Sequence, residues 1–313
     1  MDTPLRNLAV IGAGAMGSGI AALFASKGLN VVLIDSVDGA LDRALKTIER
    51  QLNVYAPGEV QQVIQRIRME QGLEAAAASD LVIEAVPENL DLKRGIFAKL
   101  DSLCPASTLF ATNTSGLSIN AIASAVVRRD RFVGTHFFTP ADVIPLVEVV
   151  RNDATSADTV ARVMATLRLG GKRPVLVRQD IPGFIANRLQ EALWREALHM
   201  VAGGEATVRD IDRSITEGPG LRWAVMGPML TFALAGGEGG MAHMLDHFGP
   251  SLKSPWTRLE APELDKELYD AVVAGCDEAA DGRSIADLVA ERDKGVIDVL
   301  RATGRLGREG EAR

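Results

Sequence analysis

Short apolar runs alternate with longer amphipathic stretches through roughly the first 180 residues. Leu8–Ile11 is an apolar run that ends at a glycine cluster. Ile20–Ser26 then follows a helical period and stops before Gly28. Val31–Ile34 is a second apolar run, closed by Asp35. Strand, glycine-rich turn, helix and strand make a βαβ unit. Residues 38–75 read as two helices, the second carrying Arg66 and Arg68. Ser79–Ile83 and Thr108–Thr112 predict buried strands, with a helix over Leu92–Leu103 between them. Arg131–Phe138 and Leu146–Val150 predict the next strand pair, Ser156–Leu169 a helix, and Pro174–Arg178 a last strand. Strands alternating with helices predict an α/β fold built on a doubly wound, mainly parallel sheet.

The pattern changes after Asp180-Ile181-Pro182-Gly183. Asn187–Val201 and Asp287–Arg301 predict amphipathic helices, and glycine clusters at 203–204, 218–220 and 236–240 break the stretches between. Two domains are expected, residues 1–180 with the sheet and residues 181–313 as a smaller all-helical domain. A length of 313 residues suits two cores. The charge balance, 34 basic against 41 acidic side chains for a net −7, argues against a nucleic-acid partner. No apolar run reaches the ~18 residues of a membrane span. The first residues run straight into a strand without the form of a signal peptide. Two cysteines, Cys104 and Cys276, are too few for a disulfide scaffold, so a reducing cytoplasm is the expected location.

The glycine cluster is Gly12-x-Gly14-x-x-Gly17, with Ala15 and Met16 inside it. It follows a predicted strand and opens a helix. Gly12 permits the tight turn, Gly14 lets the backbone approach a pyrophosphate, and Gly17 lets helix and strand pack closely. Asp35 ends the second strand, where an acid accepts hydrogen bonds from a ribose 2′-hydroxyl and repels a 2′-phosphate. Ser36 and Val37 follow with no arginine, so the pattern predicts NAD rather than NADP.

Four histidines are present. His136 lies at the end of a predicted strand, where open α/β sheets gather ligands and where a proton acceptor for an alcohol belongs. Glu148 stands inside an apolar run, where a carboxylate is costly without a partner. Pairing with His136 would fix the imidazole tautomer and raise its basicity; on residue type alone, a satisfied core histidine is the better account. His243 and His247 share a helical face at i, i+4, but no third ligand stands at a suggestive spacing, and no metal is expected.

Five segments together resemble the L-3-hydroxyacyl-CoA dehydrogenase superfamily. They are Val10–Gly17, Val82–Glu88, Asn113-Thr114-Ser115, Gly134–Phe138 and Pro182–Arg188. The resemblance implies a general acid/base role for His136, oriented by Glu148. It implies substrate contacts from Ser115 and Asn187, and cofactor contacts from Glu88, Lys93, Asn113, Ser115 and Thr139, the last standing where the family usually has asparagine. It implies NAD-dependent oxidation of a C3 hydroxyl to a ketone, and a homodimer formed through the C-terminal domain. In the second domain, Arg188–Ala197, Leu221–Pro228 and Ala235–Met241 resemble the subgroup of L-carnitine and L-gulonate 3-dehydrogenases. L-Carnitine, or a similar small 3-hydroxy acid, is therefore the expected substrate, with an L-3-hydroxyacyl-CoA thioester as the alternative. A trimethylammonium group calls for aromatic faces and a carboxylate. Phe138, Trp223, Phe248, Trp256 and Asp142 are candidates, and Arg222 suits a substrate carboxylate. For the thioester, Arg43, Lys46, Arg50, Arg66 and Arg68 lie where acyl-CoA members of the superfamily bind the nucleotide. A solvated charged helix face explains the same residues. A reading of another class, a non-catalytic NAD-binding sensor or structural protein, is separated from these by turnover.

Overall fold

The structure, a computed structural model, describes residues 5–55, 58–253, 256–258 and 260–305. The chain divides into two compact units, Met1–Arg188 and Leu189–Arg313.

The first unit is a doubly wound α/β layer structure. Its strands are β1 (Asn7–Ile11), β2 (Asn30–Ile34), β3 (Ile67–Glu70), β4 (Leu81–Glu84), β5 (Leu109–Thr112), β6 (Phe132–Phe137), β7 (Leu146–Arg151) and β8 (Arg173–Val177). They form one sheet in the order β3-β2-β1-β4-β5-β6-β7-β8. The helices are α1 (Ala15–Ser26), α2 (Ala40–Tyr55), α3 (Val60–Ile64), α4 (Leu90–Leu103), α5 (Ile119–Ala123), α6 (Ala157–Leu169) and the start of α7 (Ala186–Ala202).

Successive residues of β1 belong to different cores, which is why its run is apolar throughout rather than alternating. Leu8 and Val10 pack in the cluster that contains Ile20, Leu23 and Phe24 of α1. Ala9 and Ile11 pack in the cluster of Phe97, Phe110 and Phe132. There the Phe97 ring meets Phe132 edge-on at 4.6 Å and Phe110 at 5.8 Å.

Among the described strands every pairing is parallel except β6 with β7. The parallel register sets Ile11 beside Glu84 and Glu84 beside Thr112, which brings the carboxyl ends to one rim. The antiparallel pair sets His136 directly opposite Glu148.

Two local expectations are corrected. The second helix after β2 ends at Ile64, and Arg68 lies on the edge strand β3, with Arg66 just before it. β3 has four residues, too few to display a period, and its conformation comes from pairing with β2 (Val31 with Ile67, Ile34 with Glu70). Arg66 and Arg68 therefore do not share a helix face with Arg43, Lys46 and Arg50. The short helix α5 was not expected; Ser118 caps it by accepting the Ala121 N–H at 3.2 Å.

The second unit holds the rest of α7 and α8 (Val208–Thr216), α9 (Pro219–Val225), α10 (Pro228–Ala235), α11 (Gly240–Phe248), α12 (Lys266–Ala280) and α13 (Ile285–Ala302). Ser284 and Asp287 form a capping box at the start of α13. Many large apolar side chains here are exposed, among them Leu189, Trp194, Leu221, Val225, Leu230 and Phe232. Among the described residues no helix is long and apolar enough to cross a membrane.

Candidate active site

The glycine-rich turn is built to hold an anion. Gly12 has φ +98°, and a Cβ there would stand 2.6 Å from the Ala85 carbonyl oxygen. A Cβ on Gly17 would meet the Gly12 carbonyl oxygen at 1.7 Å, so only glycine lets α1 approach β1. At Gly14 a Cβ would meet nothing within 4 Å, which leaves open space above the turn. Gly14 is the N-cap of α1 and supplies no side-chain cap, and the first turn has no acidic residue. The leading N–H groups of the helix, at Ala15 and Met16, thus keep donors and the positive dipole end for a ligand.

Asp35 closes β2 beside this turn. Its Oδ2 accepts the Ala13 N–H at 2.7 Å and its Oδ1 accepts the Val37 N–H at 2.9 Å. Those bonds fix the carboxylate against the loop and leave further lone pairs for a diol. Open space, free helix donors and a placed acid together fit the pyrophosphate and ribose of a dinucleotide.

Glu84, Lys93 and Glu88 form a chain behind the rim. Lys93 is fully buried, and its ammonium donates to Glu84 Oε1 at 2.7 Å and to the Val86 carbonyl at 3.3 Å, with Glu88 Oε2 at 3.4 Å. Thr112 donates to Glu84 Oε2 at 2.6 Å. Glu88 Oε1 in turn accepts the Thr114 hydroxyl and the N–H groups of Ser115 (2.9 Å) and Gly116 (3.1 Å). Burial alone would raise the Glu88 carboxyl; the Thr114 hydroxyl, the Lys93 charge and the two N–H donors outweigh it and hold it below the ordinary carboxylate range. The wholly buried Lys93 ammonium, tied to Glu84, anchors Glu88, and through it the Ser115 loop. Asn113 is likewise engaged, its Oδ1 accepting the Phe137 N–H at 2.9 Å and tying the ends of β5 and β6.

His136 is 4% exposed, and its Nδ1 lies 2.8 Å from Glu148 Oε2. Glu148 Oε1 accepts the N–H groups of Ile185 and Ala186, both at 2.9 Å, at the start of α7. Burial would raise the Glu148 carboxyl; the bonds from His136, Ala186 and Ile185 overcome that and hold it below its ordinary value. An ionised carboxylate only accepts, so Nδ1 carries the proton, and in the neutral ring that leaves the lone pair on Nε2. Asn187 follows at once on α7, and its Nδ2 donates to the Ser115 carbonyl at 3.0 Å. His136, Glu148, Asn187 and Ser115 are thus gathered in one place.

Phe138 lies with its ring centroid 4.4 Å from that of His136, half-buried beside it. Phe184, absent from the expected site, lies 5.7 Å from the imidazole, 1% exposed and at φ +51°. The Gly183-Phe184 pair after Pro182 was its available signal, because two successive positive φ values make a turn that aims one ring inward. Thr139 donates to Met16 Sδ at 3.1 Å, which joins the strand end to the glycine turn. Asp142 lies near Gly19 of α1, and its charge acts on the buried Lys172.

Arg222, Trp223, Phe248 and Trp256 belong to the second unit. Arg222 and Trp223 are neighbours on α9, exposed and half-buried respectively. Phe248 ends α11, edge-on to His247 at 4.6 Å, and Trp256 is 95% exposed. The His243 and His247 rings stack at 5.9 Å. Among the described residues no group of three or more His, Cys, Asp or Glu side chains is placed to hold a metal ion.

The chain matches two family models in sequence order. Residues 7–181 match 3-hydroxyacyl-CoA dehydrogenase, NAD binding domain, and residues 183–280 match 3-hydroxyacyl-CoA dehydrogenase, C-terminal domain. It is similar to the L-carnitine dehydrogenase of Streptomyces coelicolor, with 56% identity over 99% of this chain and 98% of that one. Among solved structures, a 5-formyl-3-hydroxy-2-methylpyridine 4-carboxylic acid 5-dehydrogenase superposes with a TM-score of 0.79 at 30% identity, covering 98% of this chain and 100% of that chain. The 3-hydroxybutyryl-CoA dehydrogenase of Escherichia coli K12 superposes with a TM-score of 0.69 at 33% identity, over 87% of this chain and 57% of that chain. The paired His136 and Glu148, the glycine turn with Asp35, and both domain matches lead to one conclusion: the chain belongs to the 3-hydroxyacyl-CoA dehydrogenase family.

Proposed function

We propose that the protein oxidises the C3 hydroxyl of L-carnitine to the ketone, with NAD as cofactor. The observation that carries the oxidation is the His136–Glu148 pair at the carboxyl rim, next to a glycine turn and Asp35 that suit NAD. The identity of 56% to an L-carnitine dehydrogenase supports the substrate.

When bound, NAD would supply the acceptor for the hydride of the substrate carbon. Gly12, Gly14 and Gly17, with the N–H groups of Ala15 and Met16, would hold its pyrophosphate, and Asp35 its ribose diol. Nε2 of His136 takes the proton of the C3 hydroxyl. Glu148 keeps Nδ1 protonated and offsets the positive charge that forms on the ring. The Ser115 hydroxyl and the Asn187 amide orient the reacting oxygen. In the reverse direction His136 returns the proton to the forming alkoxide.

L-Carnitine carries a trimethylammonium group at one end and a carboxylate at the other. Phe138 offers a half-buried ring beside His136 for the cation. Within the second unit, taken by itself, α9 carries the Arg222 guanidinium beside the Trp223 indole, and Phe248 and Trp256 are further rings of that unit. The exposed apolar faces of α7, α9 and α10 support a homodimer through this unit, because patches of this kind on a free chain invite association.

The test is NADH absorbance on mixing the protein with NAD and, separately, L-carnitine, L-gulonate and L-3-hydroxybutyryl-CoA. Turnover of L-carnitine with the highest kcat/KM is expected. A preference for the thioester would replace the substrate, and no turnover on any of the three, despite NAD binding, would leave a binding protein. Light scattering should return a dimer mass.

A further inference from the structure

We infer that Asp180 is a positioning residue for this reaction, acting through the loop that carries Ser115. The inference rests on the reading of Ser115 and Asn187 as the residues that hold substrate. Two chain segments bring those side chains together, the loop after β5 with the start of α5 (residues 113–120) and the connector after β8 (residues 178–187). They are joined at two points. At the tip, Asn187 Nδ2 donates to the Ser115 carbonyl at 3.0 Å. At the base, one oxygen of Asp180, Oδ2, accepts three donors from the other segment: the Ser118 hydroxyl at 2.6 Å, the Asn120 N–H at 2.9 Å and Asn120 Nδ2 at 3.1 Å.

The base determines where the tip lies. Ser118 is also the N-cap of α5, so Asp180 orients the hydroxyl that starts that helix. Asn120 passes the restraint on, its Oδ1 accepting the Asp153 N–H at 2.9 Å beyond β7. From the other side, Glu88 holds the N–H groups of Ser115 and Gly116. The connector after Asp180 turns sharply at Gly183 and Phe184, both at positive φ, and then delivers the N–H groups of Ile185 and Ala186 to Glu148. A short span therefore reaches from Asp180 to the partner of His136 and to Asn187. Charge-assisted bonds of this length are stronger than neutral ones, and three on one oxygen leave the loop few alternative positions. Asp180, bonded to Ser118 and Asn120 rather than to Ser115 or Asn187, thus acts on the site through the loop it holds.

Asp180→Ala and Asp180→Asn test this in the full-length protein. Misplacing a reacting group by about an ångström costs on the order of a hundredfold. The alanine variant should lose roughly that factor in kcat for the 3-hydroxy acid the wild type turns over, with NAD affinity within about twofold. The asparagine variant, whose amide oxygen still accepts from Ser118 and the Asn120 N–H, should recover most of the loss. Hydrogen exchange supplies a second readout that needs no turnover: amides at Ser115–Leu117 and at Asn120 should exchange faster in Asp180→Ala, while the β1 and β4 amides stay protected. Wild-type kcat together with unchanged exchange in the alanine variant would overturn the inference. So would a loss of kcat matched by equal losses in NAD affinity and protection across the sheet. Absence of wild-type turnover on every 3-hydroxy acid would instead remove the proposed reaction, leaving the exchange result to decide whether Asp180 holds the loop.

Discussion

Replacing Glu148 by Gln changes one atom type and should nearly abolish turnover. Three donors converge on this carboxylate: His136 Nδ1 at 2.8 Å on one oxygen, and the Ile185 and Ala186 N–H groups at 2.9 Å on the other. An amide has a single accepting oxygen. If that oxygen stays with α7, the NH2 group faces Nδ1 and the imidazole can pair with it only by moving its proton to Nε2. That is the nitrogen that must accept the substrate proton. If the oxygen turns to His136 instead, two part-buried N–H groups lose their acceptor, at the low end of the ~1–3 kcal/mol that a buried donor would cost, and the first turn of α7 shifts with Asn187 on it. Either outcome also removes the negative charge beside the forming imidazolium. General acid/base catalysis is worth about 10²–10⁴ and tautomer inversion falls at the upper end, so a loss of roughly 10³ in kcat is expected, equivalent to about 4 kcal/mol. Initial rates of NADH formation at saturating NAD and hydroxy acid measure it, with NAD affinity and thermal midpoint taken alongside. A kcat within about fivefold of wild type would refute the reasoning, because the carboxylate would then be neither fixing the tautomer nor balancing the charge.

Three further outcomes follow from the same geometry. Gly17→Ala sets a Cβ 1.7 Å from the Gly12 carbonyl oxygen, a backbone clash costing more than the ~1–3 kcal/mol of ordinary overpacking; calorimetry should find NAD binding lost and the unfolding midpoint lowered. Asp35→Ala removes the acceptor of the Ala13 and Val37 N–H groups and the acid that repels a 2′-phosphate, so the NAD dissociation constant should rise about tenfold while the NADP constant falls, read by titration of both. Burial lowers the Lys172 amine to about 8, with Asp142 partly offsetting it. Between that value and the unfolded value of 10.5 the unfolded chain binds more protons, so stability from this site rises with pH across the window, by on the order of 3 kcal/mol. Urea midpoints of wild type and Lys172→Met at several pH values should diverge there, and parallel curves would count against it.

Much of the sheet could be read from the chain because each buried strand is apolar on both faces and each glycine break is abrupt. β3 could not, since its conformation is imposed by β2 rather than by its own pattern. The pairing of His136 with Glu148 was legible from two observations, a histidine at a strand end and a carboxylate in an apolar run, although their twelve-residue separation acquired meaning only through an antiparallel turn. The burial of Lys93 was not visible in its motif: a lysine beside a cofactor loop and a lysine sealed beneath it look alike in sequence. Glu84 offered the missing signal, as an acid at the end of Val82-Ile83 needs a cation nearby. Asp180 carried no signal of its own, because its three donors come from some sixty residues away.

The opposition of His136 and Glu148 across β6 and β7 has a consequence for how this scaffold diversifies. The two residues are neighbours through ladder hydrogen bonds, so their separation does not depend on the length or course of the hairpin loop, residues 138–145, that joins their strands. That loop bears Phe138 and Thr139. On the proposed reaction, insertions and exchanges there remodel what the site accepts while the His136–Glu148 pair keeps its spacing. A slip of the ladder by one residue, in contrast, would turn one partner to the opposite face of the sheet and disarm the pair at once. Selection can therefore alter selectivity and chemistry independently, with the loop free to drift and the register held fixed.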